Sequence, residues 1–507
     1  QRNPDITPVP SAEANPTPTP KTLRNDAQPA QRAEKAYRYR EEMAHHELDG
    51  GAYCWVTNGD EERYRGSWIA HFHKTLPHNE LGEVVPGAFE ALLECLSTGD
   101  FIACEKVPRG YGPGGPGGQQ VANPLGGLAM PAHGIDSQAV PLNAPPALAS
   151  EQLAAMMAEV YWMSVLRDVH FNHYAVHPLA DQAAASLSYM PGYVGYDRPM
   201  GPDRHLHPGQ DLFRITFPGV THGPFVSQAR FMLADFTIDG ITVSPKLKMP
   251  MPGHDYMTDY REWLSIQNGN KPREEKSIGE EAVYVHTARH LGHVAASDNF
   301  YTPFLRACLV LINEEFMAKA GTGPYTADTR SKGFASFGVP HMMTALAAVV
   351  SSERPPWYAK WYVNRFLRPE AYGGLVHHTK TGAASYPLHP SILASDVLPL
   401  VYERNHAINH ALGRGGQGTY LLPQVLPEGS PTHPSHPAGH AFTSGSCATV
   451  LKAFVGRKDG RRCYPYPKIV SDDGHELLDL FDVEHGGPCL TIEGEINKLA
   501  HNIAYGR

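Results

Sequence analysis

Apolar residues fall at i, i+3 and i+4 in one segment after another of this 507-residue chain, and stretches rich in proline and glycine separate those segments. The spacing predicts helices over 86–97, 150–168, 281–293, 301–320, 339–351, 358–367, 398–412, 439–454 and 494–505. A more charged helical pattern covers 31–46. Strand-like runs are short and isolated (212–217, 225–228 and 240–243). The pattern implies a mainly α protein of helical bundles with long loops and a few short strands. No repeat of 20–50 residues is present.

Residues 1–30 are rich in Pro, Thr, Ala and Asn and poor in large apolar residues, as in an extended arm that is disordered or wrapped on a neighbouring subunit. The remainder, 31–507, reads as one large helical unit: N-terminal helices and long loops over 31–280, and a helical bundle over 281–507. The segment 107–150 is a long irregular excursion. Its glycines do not make a phosphate loop, because no GxxxxGK[ST] is present and Pro113 and Pro116 remove donors.

The net charge of −9 and pI near 6.3 leave no general electrostatic case for binding nucleic acid or an anionic membrane. No apolar run of 18 residues predicts a membrane span. The segment from Gln1 lacks the apolar h-region of a signal peptide, and a soluble protein of either the cytoplasm or the outside fits. The seven cysteines have no CxxC pair. Free, partly buried thiols are the expectation, although an odd count still permits one or two disulfides.

Chemistry concentrates in Pro431-Thr-His-Pro-Ser-His-Pro-Ala-Gly-His440. Its prolines exclude regular structure until a helix begins near Gly439. Unpaired N–H groups and the positive end of the helix dipole then face an anion there. Gly439 allows close approach, and His440 can donate a hydrogen bond or carry a proton. His433 stands upstream as a second proton carrier. Lys360 and Arg368 share one helical segment, whose eight-residue separation returns to within about 80° of the same face. One supplies a compact charge, the other a planar fork. With Arg507, these cations suit a tetrahedral oxyanion such as phosphate or vanadate.

The order Lys360-x7-Arg368-Pro, then His433-Pro-Ser-His-Pro-Ala-Gly-His440, then Glu495 to Arg507 resembles the vanadium-dependent haloperoxidases, of the acid phosphatase superfamily. Arg368-Pro-Glu-Ala-Tyr-Gly-Gly is most similar to the algal bromoperoxidases. Further similarity lies at Ser67-Trp-Ile-Ala-x-Phe-x-Lys-x-Leu-Pro-His78, at Phe334-Ala-Ser-Phe-Gly338 with His341, and at Leu421-Leu-Pro through Leu451-Lys-Ala-Phe454. The chain's length and long loops suit the bacterial branch that chlorinates and cyclises meroterpenoids.

The resemblance implies a helical haloperoxidase fold and a vanadate cofactor, with phosphate able to occupy the same pocket. Lys360, Arg368 and Arg507 then bind equatorial oxygens, the segment Ala438–Gly439 lies against another, and His440 bonds the apical one. His433 takes the position near the halide. Lys332 is a candidate relay of the halogen toward an apolar pocket. Hydrogen peroxide, chloride or bromide and an aromatic or terpenoid molecule are the implied partners, and a homodimer the implied assembly.

Two positions depart from the family pattern. Ala438 stands where the family usually has serine, which removes a donor worth roughly 1–3 kcal/mol if its acceptor stays unpaired. The family's covalent vanadate ligand is a histidine six residues after the position of Arg507. The resemblance therefore expects no metal ligand within this chain. Ala438 also leaves room for a homologue that rearranges a hydroxyketone by acid/base chemistry without halide, as an isomerase, and less readily for an acid phosphatase.

Overall fold

The computed structural model describes residues 29–49, 55–111, 118–129, 136–193, 205–229, 231, 234–297, 301–314, 330–350, 354–415, 417–464, 466–481, 483 and 486–507. The expected arm over 1–30 lies almost wholly outside them. Two compact units divide the chain, Gln1–Tyr53 and Cys54–Arg507. The first contains helix α1 (Pro29–Asp49), charged and exposed along its described length, with an Arg38–Glu34 pair one turn apart at 2.7 Å.

The second unit is mainly helical, as the periodicity implied, and its strands form three separate two-stranded pairs. Helix α2 (Glu151–Leu166) runs through its core, started by Ser150 Oγ accepting from the Leu153 amide at 3.1 Å. Nearly every α2 side chain after the first turn is buried, including Tyr161 and Trp162. Around it pack α3 (Pro178–Tyr189), α8 (Pro390–Leu393) and α9 (Val397–Ala411). A second layer pairs α10 (Gly439–Gly460) with α11 (Ile492–Tyr505), flanked by α4 (Ala288–Ser297), α5 (Thr302–Asn313) and α6 (Val339–Val350). The start of α10 and the end of α11 meet, so the two helices run antiparallel and deliver His440 and Arg507 to one place.

Several sequence expectations are corrected. The helix expected over 281–293 begins only at Ala288, because Ile278–Val283 pairs antiparallel with Leu247–Pro250. The runs at 212–217 and 225–228 are irregular, buried over 212–214 and 225–228, while Phe217 is exposed. Their apolar content serves the core, and the amides of Ser227 and Gln228 bond to the Asn502 and Glu495 side chains instead of to a strand. The third run survives as Ile241–Val243, paired with Phe236–Ile238. The helix expected over 301–320 is described as far as Asn313; residues 315–329 lie outside the described set.

The helix expected over 358–367 also stops early. Arg354–Tyr358 is α-helical, Ala359–Asn364 widens into a π-helical turn, and Arg365 takes a left-handed conformation (φ 41°). The chain then extends and pairs with the 70–72 segment: Phe72 N donates to Arg365 O, and Leu367 N to Ala70 O. Trp361, fully buried, anchors the π-turn edge-on against Phe72, in a core cluster with Trp68, Phe89 and Leu92. Helix α7 (Pro369–Thr381) starts at once, with proline in its first turn, where a missing N–H does no harm.

Four cysteines are paired, contrary to the expectation of free thiols: Cys95–Cys104 and Cys463–Cys489. The second bridge joins the segment after α10 to the residues just before α11, an arrangement no local sequence spacing reveals. Cys308 and Cys447 are buried thiols outside these two bridges.

Candidate functional site

The Pro431–His440 segment lies along the extended stretch 366–368 as a partner strand would. Ser435 N donates to Phe366 O at 3.1 Å and Ser435 Oγ to Leu367 O at 2.5 Å. Lys360, on the π-turn, reaches the same loop from inside the protein. It is 1% exposed and donates to the carbonyls of Pro434 (3.0 Å) and Ser435 (3.1 Å). Arg368 is not the end of the Lys360 helix, as the eight-residue spacing suggested; it caps α7. Its Nε donates to Pro431 O at 3.3 Å and its Nη2 lies 3.3 Å from the His433 ring. The rings of His433 and Trp357 meet edge-on at 4.9 Å.

A cis bond between His436 and Pro437 precedes the helix N-terminus, where Ala438, Gly439 and His440 follow. Phe442 N donates to Ala438 O, closing the first turn of α10. His440 Nε2 donates to the Ala295 carbonyl on α4 at 2.9 Å, which fixes its tautomer and leaves Nδ1 as the other working nitrogen.

These groups feel one another. Burial, then Arg507, Lys360 and Arg368, push the His440 imidazole down to about 3. Burial and the same three cations hold His433 well below the usual histidine range. Arg368 is lowered to about 9 by burial and by Arg507, against a pull from Glu370. Lys360 and Arg368 are buried here beside Arg507, and the carboxylate that acts on Arg368, Glu370, is already paired with Lys74, which leaves positive charge in excess. Such a cluster is unfavourable until an anion fills it, and a tetrahedral oxyanion with several negative oxygens fits that excess.

The structure thus brings together Lys360, Arg368, His433, Gly439, His440 and Arg507. Ala438 is exposed and presents a methyl at the helix start. Lys332 is exposed on the loop before α6, and the contacts that tie the cluster together do not involve it. Sequence reasoning missed Ala295, which orients His440, and the buried pair Lys74–Glu370 beneath Arg368. Glu370 stands two residues after Arg368 and Lys74 lies in the 67–78 stretch, so position along the motifs was the only available signal. Among the described residues, no group of three or more His, Cys, Asp or Glu side chains could hold a metal ion.

Fold and site together describe a helical protein whose clustered cations and imidazoles suit an oxyanion. No protein-family model matches the chain. Its sequence is 42% identical over 482 residues to a vanadium-dependent bromoperoxidase of Ascophyllum nodosum, covering 94% of this chain and 84% of that protein. The vanadium-dependent bromoperoxidases of Corallina pilulifera and Corallina officinalis are each 27% identical over 554 residues, or 94% of this chain and 90% of theirs. The homohexameric second vanadate-dependent bromoperoxidase of Ascophyllum nodosum superposes with a TM-score of 0.87 at 39% identity, over 98% of this chain and 84% of that one. The chain belongs to the vanadium-dependent haloperoxidase family.

Proposed function

We propose that the chain is a vanadate-dependent haloperoxidase that uses hydrogen peroxide to oxidise bromide. The observation that carries this reading is the convergence of Lys360, Arg368, His433, His440 and Arg507, whose three cations lower both imidazoles and of which Lys360 and Arg368 are buried. Vanadate, when bound, supplies a Lewis-acidic centre that activates peroxide toward halide. The residues of the chain hold and orient it. Arg368 and Arg507 offer guanidinium N–H groups to its oxygens, Lys360 adds a charge fixed by two backbone carbonyls, and Gly439 lets the helix N-terminus approach.

His440 is neutral in the anion-free site. A bound anion reverses the sign of its surroundings, so the imidazole gains the ability to hold a proton where the reaction needs one. The reaction consumes that proton: bromide, hydrogen peroxide and H+ give hypobromous acid and water, two electrons passing from halide to peroxide. An electron-rich C–H then becomes C–Br with release of water.

We extend the proposal to a terpenoid-aromatic substrate and its cyclisation, to chloride in place of bromide, and to Lys332 as a halogen relay. It covers assembly as well: the homohexameric relative suggests that the expected dimer is a building block, since a hexamer of dihedral symmetry contains two-fold pairs.

The test is bromination of an electron-rich phenol by the purified protein with vanadate, peroxide and bromide. Vanadate-dependent bromination is expected, and Lys360→Ala lowers kcat at least about a hundredfold. No vanadate-dependent product with bromide or chloride overturns the reading. Ala438 favours a second reading, peroxide-independent rearrangement of a hydroxyketone. It requires turnover without peroxide or halide that His440→Ala abolishes.

A further inference from the structure

Glu370 is the carboxylate closest in sequence to the site, two residues past Arg368, and its charge acts on both Arg368 and Arg507. It is completely buried. A bare carboxylate there competes with any anionic ligand: it draws the two arginines to itself and repels the negative oxygens they would otherwise hold. The structure shows how that competition is suppressed. Lys74, 2% exposed, places its Nζ 2.8 Å from Glu370 Oε1. Its other two donors go to the carbonyls of Glu428 and Ser430, both at 2.7 Å. Glu370 in turn accepts from Ser430 N (2.7 Å) and Gln267 Nε2 (3.2 Å). Gly429 sits between those carbonyls at φ 68°, and a Cβ on it would lie 2.3 Å from Glu370 Oε2. The loop that leads to His433 is therefore closed down on this pair.

We propose that Lys74 is a positioning residue of the oxyanion site: it neutralises Glu370, so that Arg368 and Arg507 present their charge to the anion, and it fixes the carbonyls at the root of the His433 loop. A buried ion pair is weak evidence for stability, because apolar replacements of both partners are often neutral or better. Its place beside two anion-binding arginines gives this one a functional reason. The inference rests on reading the cluster as an oxyanion site.

Isothermal titration with inorganic phosphate and with vanadate separates the two ideas, using the wild type, Lys74→Met, Glu370→Gln and the double variant, each with its melting temperature. Lys74→Met leaves a net negative charge beside the arginines, so both anions should bind about tenfold more weakly or worse. Glu370→Gln should bind at least as tightly as the wild type even where its melting temperature falls. The double variant should return to within about threefold of the wild type. A merely structural pair predicts weaker binding in all three variants, and that result, or unchanged affinity in Lys74→Met, overturns the inference. Should Lys74→Met not fold, Glu370→Gln and the double variant decide by the same criterion. If the wild type binds neither anion, the oxyanion reading falls with it; if it does bind, only the role of Lys74 is at stake.

Discussion

Two clusters of arginine in this protein reach opposite electrostatic outcomes. In the core, Asp255 accepts from Arg167 and Arg289 at 2.8 Å and from Arg404 at 2.7 Å, while Asp168 pairs with Arg289 and Arg404. Burial alone raises both carboxyls, yet the arginines hold them below the ordinary range, and Arg289 is raised in return. Carboxylates and guanidinium groups face each other there, and the attraction outweighs burial for Asp168, Asp255 and Arg289, while burial, Arg289 and Arg404 lower Arg167. In the oxyanion site burial and like charge act in the same direction, and Arg368, His433 and His440 are all lowered. Residue type is alike in the two clusters; the balance of charge is not.

The sharpest way to break this contrast is to remove the core carboxylate. Asp255→Asn leaves two buried guanidinium groups and the half-buried one of Arg404 with Asp168 as the remaining aspartate. We expect a loss of about 3–5 kcal/mol in urea unfolding at neutral pH. Phosphate affinity of the protein that stays folded should not change, because none of those groups touches the site. A variant as stable as the wild type would show that the core network is no more matched than the site.

Arg368→Met should do the reverse. Removing an unmatched buried cation is expected to leave the anion-free melting temperature unchanged or higher, despite the lost bond to Pro431 O. Anion affinity should fall by about a hundredfold or more. A ligand at a hundred times its Kd stabilises a protein by about 2.7 kcal/mol, so the rise in melting temperature that vanadate gives the wild type should vanish in the variant. Anion-free destabilisation as large as that of Asp255→Asn would erase the distinction between the two clusters.

Most helices of this fold, and most of the site, are legible in the amino-acid sequence. Apolar spacing marks the helices, and several residues of the candidate cluster follow from a motif whose prolines and glycine dictate an irregular backbone opening onto a helix N-terminus. Long-range pairing is what local pattern does not carry. The 281–283 and 225–228 segments defeat it because their partners, Leu247–Pro250 and the side chains of α11, lie far away in sequence. Lys360 and Arg368 do come close, but not through a shared helix face. A π-turn and an extended stretch join them, and the Pro431 loop, bonded to both, sets their separation. Lys74 and Ala295 act through contacts that no local pattern encodes.

The smallest expected effect tests whether His440 faces the anion. Its unfolded value is near 6.5 and its folded value about 3, so the folded state refuses a proton that the unfolded state accepts. The stability it contributes is complete above pH 6.5 and is lost as pH falls from there toward 3, by up to about 1.4 kcal/mol per pH unit. His71, His290 and His501 titrate in the same window for the same reason, burial, so the total acid slope does not identify His440. The difference between wild type and His440→Gln does. Urea unfolding from pH 6.5 to 5 should show a shallower slope in the variant. Sulfate, doubly charged throughout that range, should then shrink the difference, because an anion beside the imidazole raises its folded value toward the unfolded one. The three core histidines stand outside the oxyanion cluster and should keep their share of the slope. A difference that sulfate leaves untouched would place the anion away from His440, and the site's matching of cations to ligand would have to be sought without it.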